Sequence, residues 1–532
     1  MNVFVGPNNS GKSKLLAEIF HHCRNGVHAP GTVVLDALSF EAISDAEIDG
    51  AIAKIEKLPK AGEATADSHI YVGDHRARHH VPVKALRAAI KEPQKQRSQF
   101  CRWFLAQSTM MLDGRTRISL ANHQGGGDLT ESADTSLQML FVDDEKRVEV
   151  RRIIADAFGA YFVVDPTHLG QLRVRLSSVP PATMKHERGL DRDAIEFHRA
   201  SQLITDCSDG VKAFTGIIME VIAGDPRVIL IDEPEAFLHP SLAYKLGFEL
   251  ARAAGRANKR VFVSTHSPSF VMGCVQAGTP VNIVRLTYRN GTATSRLLAG
   301  RDLLAMMRHP LLRSANVLAA LFYEFVVVAE ADADRAFYNE VNERLLQFDF
   351  PRGIPTCLFL NAQNKQTVRT IVAPLRNLGI PVAGIVDVDI VKNGGSEWSG
   401  LLSSLNVPEL SWQALAALRS AVKDAIDKTG ADMKRDGGIE VLSGPEREAA
   451  ENLFSQLAEY GLFVVPGGEL ESWLKELGAA GHGPSWLLAM FERMGDDPSD
   501  PGYTKPGDGD VWQFMSRVRA WFADSNRRGI PA

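Results

Sequence analysis

The chain has 532 residues, a net charge of −5, 45% hydrophobic and 23% charged residues, as expected of a soluble globular protein built from domains of roughly 100–200 residues. The acidic balance excludes a chain-wide nucleic-acid footprint, and five scattered cysteines (Cys23, Cys101, Cys207, Cys274, Cys357) without a CxxC pair indicate neither a disulfide framework nor a zinc site. No apolar run approaches the roughly 20 residues of a membrane span, and the chain opens directly into MNVFVGPNNSGKS without a signal peptide, so a reducing cytoplasm is the expected location.

In chain order, the apolar strand Val3–Val5 leads into GPNNSGKS, and a helix is predicted over Lys14 to His21. Strand, GxxxxGK[ST] and helix in succession form a phosphate cradle. The backbone of Gly6, Pro7, Asn8, Asn9, Ser10 and Gly11 wraps phosphate oxygens, and the helix points its positive end at the same anion. Lys12 is placed to reach the β- and γ-phosphates, and Ser13 to ligate Mg²⁺. The bland alternative is a Gly-rich turn before a helix.

Residues from about 75 to 195 read as an insert. Its start is cationic: Arg76, Arg78, Lys84, Arg87, Lys91, Lys95, Arg97 and Arg102 could contact DNA phosphates, although a solvated helical face explains the same composition. The His pairs (His21–His22, His79–His80) lack partners at metal spacing and read as surface residues. EKRVEVRRIIADAFGAYF has helical periodicity, and a hairpin is predicted near GQLRVRLSS. Further on, Val228–Ile231 in RVILIDEPEAFLHPSLA reads as a buried parallel strand. Asp232 at its end can hold magnesium, and Glu233 can polarise the attacking water. RVFVSTHSPSFV is a second buried strand, ending in His266 as a sensor of the γ-phosphate. Strand ends of this kind converge at the carboxyl edge of a parallel sheet.

This half resembles the ABC-type ATPases of the SMC, RecF and OLD (overcoming lysogenization defect) group. LIDEPE matches their Walker B segment, FLHPSL their D-loop and STHSP their switch histidine. CSDGVKAF is similar to their signature motif, with Ser208 and Gly210 matching and Asp209 where glycine is common. The resemblance implies ATP as the nucleotide and a head-to-head homodimer, or a higher homo-oligomer, in which Ser208 and Gly210 cap the γ-phosphate of the opposite subunit. The Q-loop has no evident counterpart. Family members carry some twenty-odd residues of β-structure before the P-loop strand. This chain has almost none, which predicts an exposed sheet edge.

After about residue 300, linking helices give way to a βαβαβ rhythm: strand Phe325–Ala329, helix Asp332–Leu346, strand Thr356–Leu360, helix Thr367–Leu378, strand Val382–Asp387. A second parallel sheet is predicted. Glu330 and Asp334 follow its first strand; Asp387 and Asp389 close its third and, two apart in extended chain, face one side. Four carboxylates at one sheet edge repel unless cations neutralise them. Mg²⁺ or Mn²⁺ fits such an all-oxygen shell, and two ions about 4 Å apart clamp a phosphodiester. Solvated strand ends and helix N-terminal acids are the plain alternative.

The pattern resembles a TOPRIM domain, in which a strand precedes E-G-x-x-D and a later one precedes D-x-D. Ala331 stands at the glycine position, which would distort the turn. The resemblance further implies an acidic residue in GLFVVPGGELESWLKELG at the second metal, Glu471 in preference to Glu469, and a transition-state lysine, Lys505. The stretch 394–459 reads as a helical insertion, and Trp473, Trp486, Trp512 and Trp521 as core.

The expected architecture is α/β: an ABC-type P-loop ATPase domain over 1–310 with a helical insert, then a Rossmann-like TOPRIM domain over 320–532 with a helical insertion. Together they resemble OLD-family nucleases. That implies ATP-regulated, metal-dependent cleavage of DNA, with Glu233, His266, Glu330, Asp387 and Lys505 catalytic. In the family such proteins serve phage defence, some with a helicase and some within retron systems. An SMC- or RecF-like DNA sensor with an inactive TOPRIM, and a ribonuclease, stay open as alternatives.

Overall fold

The computed structural model describes residues 1–59, 66, 68–73, 78–129, 133, 135–224, 226–256, 259–289 and 291–531. It divides into two compact units, Met1–Gly300 and Arg301–Ala532. No helix among the described residues is long and apolar enough to cross a membrane.

The strands of the first unit that matter here are β1 (Asn2–Val5), β2 (Thr109–Leu112), β3 (Tyr161–Asp165), β4 (Gln171–Ser177), β5 (Val228–Asp232), β6 (Arg260–Ser264), β7 (Asn282–Arg289) and β8 (Thr292–Leu298). Six of them form one sheet in the order β8-β7-β1-β6-β5-β2. All neighbours run parallel except the β7–β8 hairpin. The apolar runs of β1 and β5 are buried on both faces, as parallel strands covered by helices require. On the sheet packs α1 (Lys12–Asn25), and α2 (Asp144–Phe158), α3 (Asp209–Ala223) and α4 (Pro240–Arg256) pack on one another. Gly26 ends α1 in a left-handed C-cap.

The P-loop strand lies inside the sheet, flanked by β6 and β7. Two expectations change. The stretch 75–195 is not wholly an insert, because β2 from within it pairs with β5 in the central sheet. His22 is not a surface residue: it is buried, its ring packed on His28 and Phe40. The hairpin near residue 171 forms as β3–β4, behind α2.

The second unit is built on β9 (Phe325–Ala329), β10 (Cys357–Asn361), β11 (Val382–Val386) and β12 (Leu462–Val464), in the order β10-β9-β11-β12, all parallel. Val326–Ala329 is completely buried, since β-branched side chains fill both faces of a central strand. The chain passes from β9 to β10 on one side and then to β11 on the other, so a topological switch point lies between β9 and β11. Helices α5 (Asp332–Phe348) and α6 (Lys365–Asn377) cover the sheet. The inserted region forms α7 (Gly395–Ser404), α8 (Glu409–Thr429) and α9 (Gly444–Glu459). Trp473, Trp486, Trp512 and Trp521 all lie in the core of this unit. Arg376 on α6 is fully buried and donates to the carbonyls of Val382, Leu405, Tyr460 and Gly529 at 2.7–3.1 Å, tying four chain segments together.

Candidate functional sites

In the first unit, the loop between β1 and α1 turns through two left-handed residues, Asn9 and Gly11. Gly6 must be glycine, because a methyl there would fall 2.1 Å from the Leu286 carbonyl oxygen. Lys12 opens α1, two residues earlier than the helix predicted from sequence. Its Nζ donates to Gly6 O and Pro7 O at 2.8 Å and to Ser10 Oγ at 3.2 Å. Burial pushes its pKa down to about 8, against the opposing pull of Glu233, Asp232 and Glu235. Asn8 is exposed on the same loop.

The β5 edge faces this loop. Ser13 Oγ donates to Asp232 Oδ1 at 2.9 Å, and Ser264 Oγ, from the end of β6, donates to the same oxygen. The hydroxyl and carboxylate assigned to Mg²⁺ are therefore already adjacent, a donor set that suits a hard cation. Glu233 takes a left-handed φ of 49°, an uncommon conformation for a side-chain-bearing residue. His266 Nε2 is 3.5 Å from Glu233 Oε1, and burial lowers the imidazole pKa, with Lys12 acting in the same direction. Ser208 and Gly210 stand at the start of α3, where a methyl on Gly210 would lie 2.6 Å from Phe237 O.

Two residues of this site had no role in the sequence reading. Arg117 is buried, and its Nη1 donates to the carbonyls of Asp232 and Glu233 at 2.8 and 2.6 Å, clamping the backbone that carries both acids. It follows the apolar run of β2, and that run before DGRTR was the available signal. Glu235 accepts from Thr265 Oγ1 and His266 N–H, both at 2.8 Å, and so fixes the histidine's backbone. Of the cationic stretch, Arg87 pairs with Asp49, Lys91 with Asp45 and Lys95 with Glu92; this charge is partly answered within the unit. Arg76 lies outside the described residues.

In the second unit the carboxylates gather at the switch point. Asp387 N–H donates to Glu330 Oε1 at 2.9 Å. One carboxylate oxygen from each of Glu330, Asp387 and Asp389 lies within 4.8 Å of the others. Burial, then the neighbouring Asp387 charge, raises the pKa of Glu330 and lifts that of Asp334 to about 7. Asp387 is raised too, chiefly by burial. Asp389 Oδ1 is buried without a hydrogen-bond partner. An oxygen set held close against its own repulsion, with one atom unsatisfied, fits a hard divalent cation.

Asp387 and Asp389 are not on one extended strand: β11 ends at Val386 and residues Val388–Lys392 form a 3₁₀ turn. The turn, not the pleat, brings the two carboxylates together. Ala331 has φ −124°, which any residue adopts, so the expected distortion at the glycine position is absent. Its N–H donates to Asp334 Oδ2 at 2.9 Å. Glu471 also falls here: Asp334 feels its charge, and Glu471 Oε1 is 2.8 Å from His482 Nδ1. Glu469, Glu471 and His482 line a cleft of about 300 Å³ together with Lys434.

Lys505 does not join this cluster. Its Nζ sits 5.4 Å from the Phe348 ring, at the far end of α5 from Asp334. Fourteen residues of helix at about 1.5 Å each separate them by roughly 20 Å. The lysines that do reach the acids are Lys434, 2.6 Å from Asp387, and Lys365, 2.7 Å from Asp389. Neither lies in a motif, so no pattern in the sequence pointed to them.

P-loop, acid pair and His266 at one end of a mostly parallel sheet give the first unit the layout of a P-loop nucleotide-binding domain. Residues 134–272, which include Asp232, Glu233 and His266, match the family described as "AAA domain, putative AbiEii toxin, Type IV TA system". Among solved structures, the chain is similar to the Smc head bound to the C-winged helix domain of ScpA, at 14% identity and TM-score 0.30, over 57% of this chain and 91% of that one. It is similar to the SMC head domain from Thermotoga maritima at 11% identity and TM-score 0.27, over 56% and 90% of the two chains. No curated protein matches the sequence.

Proposed function

We propose that the chain is an OLD-type nuclease, in which an ATPase of the ABC class controls a TOPRIM unit that hydrolyses phosphodiester bonds in DNA. The observation that carries this reading is the meeting of Glu330 and Asp387 from neighbouring strands, with Asp389 and Asp334 beside them. Glu330, Asp387, Asp389, Asp334 and Glu471 are the residues that would hold Mg²⁺ or Mn²⁺. Bound there, such ions supply an activated water and offset the charge that builds on the phosphate. Asp387 N–H keeps the Glu330 carboxylate aimed at the strand end, and Asp334, tied to Ala331 N–H, stays on the first turn of α5.

In the first unit, Lys12 would answer the phosphate charge, and Ser13 with Asp232 would hold the accompanying magnesium. Glu233, held by Arg117 and paired with His266, is the general base for water. Dimerisation through Ser208 and Gly210, and a place in phage defence with a helicase or retron partner, rest on the resemblance of the two halves in this order. The undistorted turn at Ala331 supports the nuclease over a sensor with an inactive second unit.

The test is a plasmid-nicking assay with Mg²⁺ or Mn²⁺, with and without ATP, alongside single-stranded DNA and tRNA. Metal-dependent cleavage of DNA that disappears in Asp387→Ala is the expected result. No cleavage of any substrate by the wild-type protein favours the sensor, and cleavage of tRNA alone favours the ribonuclease.

A further inference from the structure

The carboxyl edge of the second unit holds a cation of its own. Lys434 lies between α8 and α9, with Nζ 2.6 Å from Asp387 Oδ2 and 3.5 Å from Glu469 Oε2. It joins the acid that ends β11 to one that follows β12. The backbone beneath it is fixed: Lys434 N–H donates to Asp432 Oδ1 at 3.0 Å, and Asp432 N–H to Asp436 Oδ2 at 2.7 Å. On the other side Gly468 has φ +119° and lies so close that a methyl would fall 2.0 Å from the Lys434 carbonyl. Ile439 N–H donates to Pro466 O at 2.9 Å and pins the following turn to the same loop. A lysine rooted this way is a built part of the site rather than a solvated surface chain.

The oxygens of the cluster are divided between two kinds of partner. Asp387 gives one oxygen to Lys434. Asp389 gives Oδ2 to Lys365 and keeps Oδ1 buried and unpartnered. Glu330, Asp387 and Asp389 together still present one compact set of oxygens, suited to a single small, hard ion; Glu469, Glu471 and His482 form a second close group, and Lys434 lines the same cleft 3.5 Å from Glu469. A second divalent ion, shared through Asp387 with Asp334 and the Glu469–Glu471 side, would meet the Lys434 ammonium. In a partly buried setting two cations at that range repel strongly.

We propose that Lys434 stands in the place of a second metal, so that this edge takes one divalent ion and completes its positive charge with a lysine. The inference rests on the nuclease reading and specifies its site. A phosphodiester reaching the edge meets the ion at Glu330, Asp387 and Asp389 on one side and the Lys434 ammonium on the other, a charge fixed in position before the reaction begins.

The experiment counts ions. The full chain, without nucleotide, is titrated with Mn²⁺ by calorimetry and electron paramagnetic resonance, and the count is the number lost when Asp387→Asn and Glu469→Gln are combined, so that an ion at Ser13 and Asp232 cancels. The expected result is one ion per chain in the wild type, one in Lys434→Arg and two in Lys434→Met. Two ions in the wild type overturn the inference while leaving the nuclease reading intact, and the wild-type count decides this even where a variant does not fold. A count of one in folded Lys434→Met also overturns it. If the combined substitutions remove no ion from either protein, the metal reading itself fails and the inference falls with it.

Discussion

Asp387 and Glu330 are 57 residues apart in sequence, yet the Asp387 N–H donates to the Glu330 carboxylate at 2.9 Å. The contact exists because β9 and β11 are hydrogen-bonded neighbours and both strands end at the same level of the sheet. It places two acids where each raises the cost of ionising the other.

That cost gives stability a definite pH dependence. The folded-state pKa values of Glu330 and Asp334 lie above their unfolded values, that of Asp334 at about 7. Between about pH 4 and that value the folded chain binds more protons than the unfolded one, so stability falls as pH rises. In chelator, the urea midpoint of the wild type should drop from pH 5 to pH 8. Glu330→Gln should flatten that slope and raise the midpoint at pH 8. Added Mn²⁺ should recover the wild type at pH 8 but not the variant.

Asp387→Ala and Lys505→Ala should separate cleanly in the nicking assay. Loss of Asp387 removes an oxygen from the centre of the cluster and should lower cleavage by about 100-fold or more. Lys505 rests on Phe348 at the distant end of α5, and its loss should change the rate by less than about threefold.

Lys12→Ala should abolish ATP turnover, because the loop's only ammonium is replaced by a methyl where phosphate charge must be met. Arg117→Ala tests a different role. Arg117 touches the backbone of Asp232 and Glu233 rather than the phosphate cradle. The expected effect is a fall in kcat of about 10- to 100-fold with KM for ATP nearly unchanged. A large rise in KM alone would contradict the positioning role.

Arg376→Ala should destabilise the second unit by about 3 kcal/mol or more, since it strands several buried carbonyls at once. Thermal or urea unfolding of the full chain reads this directly.

Much of the fold was legible because its signals are local. GPNNSGKS, the apolar run before Asp232 and the run before Glu330 each combine a buried-strand composition with a polar terminus, and the strands appear within a residue or two of their expected positions. The Trp-rich C-terminal helices packed as core for the same reason. Less legible was anything set by pairing partners. Nothing in TMML announces that it pairs with β5, and nothing near MNVFV says that a strand of the β7–β8 hairpin will flank it. Parallel neighbours carry no pairing mark in a single sequence.

The sequence by itself determined that Asp232, Glu330 and Asp387 each stand at the end of a buried strand, because strand burial and loop composition are properties of short stretches. Only the tertiary structure decided which charges meet. Lys434 reaches Asp387 and Lys505 does not; Arg117 clamps the Glu233 backbone; a 3₁₀ turn rather than a pleat unites Asp387 with Asp389. Coulombic and hydrogen-bond partnerships depend on distances of a few ångströms between segments far apart in the chain, and those distances are fixed by packing alone.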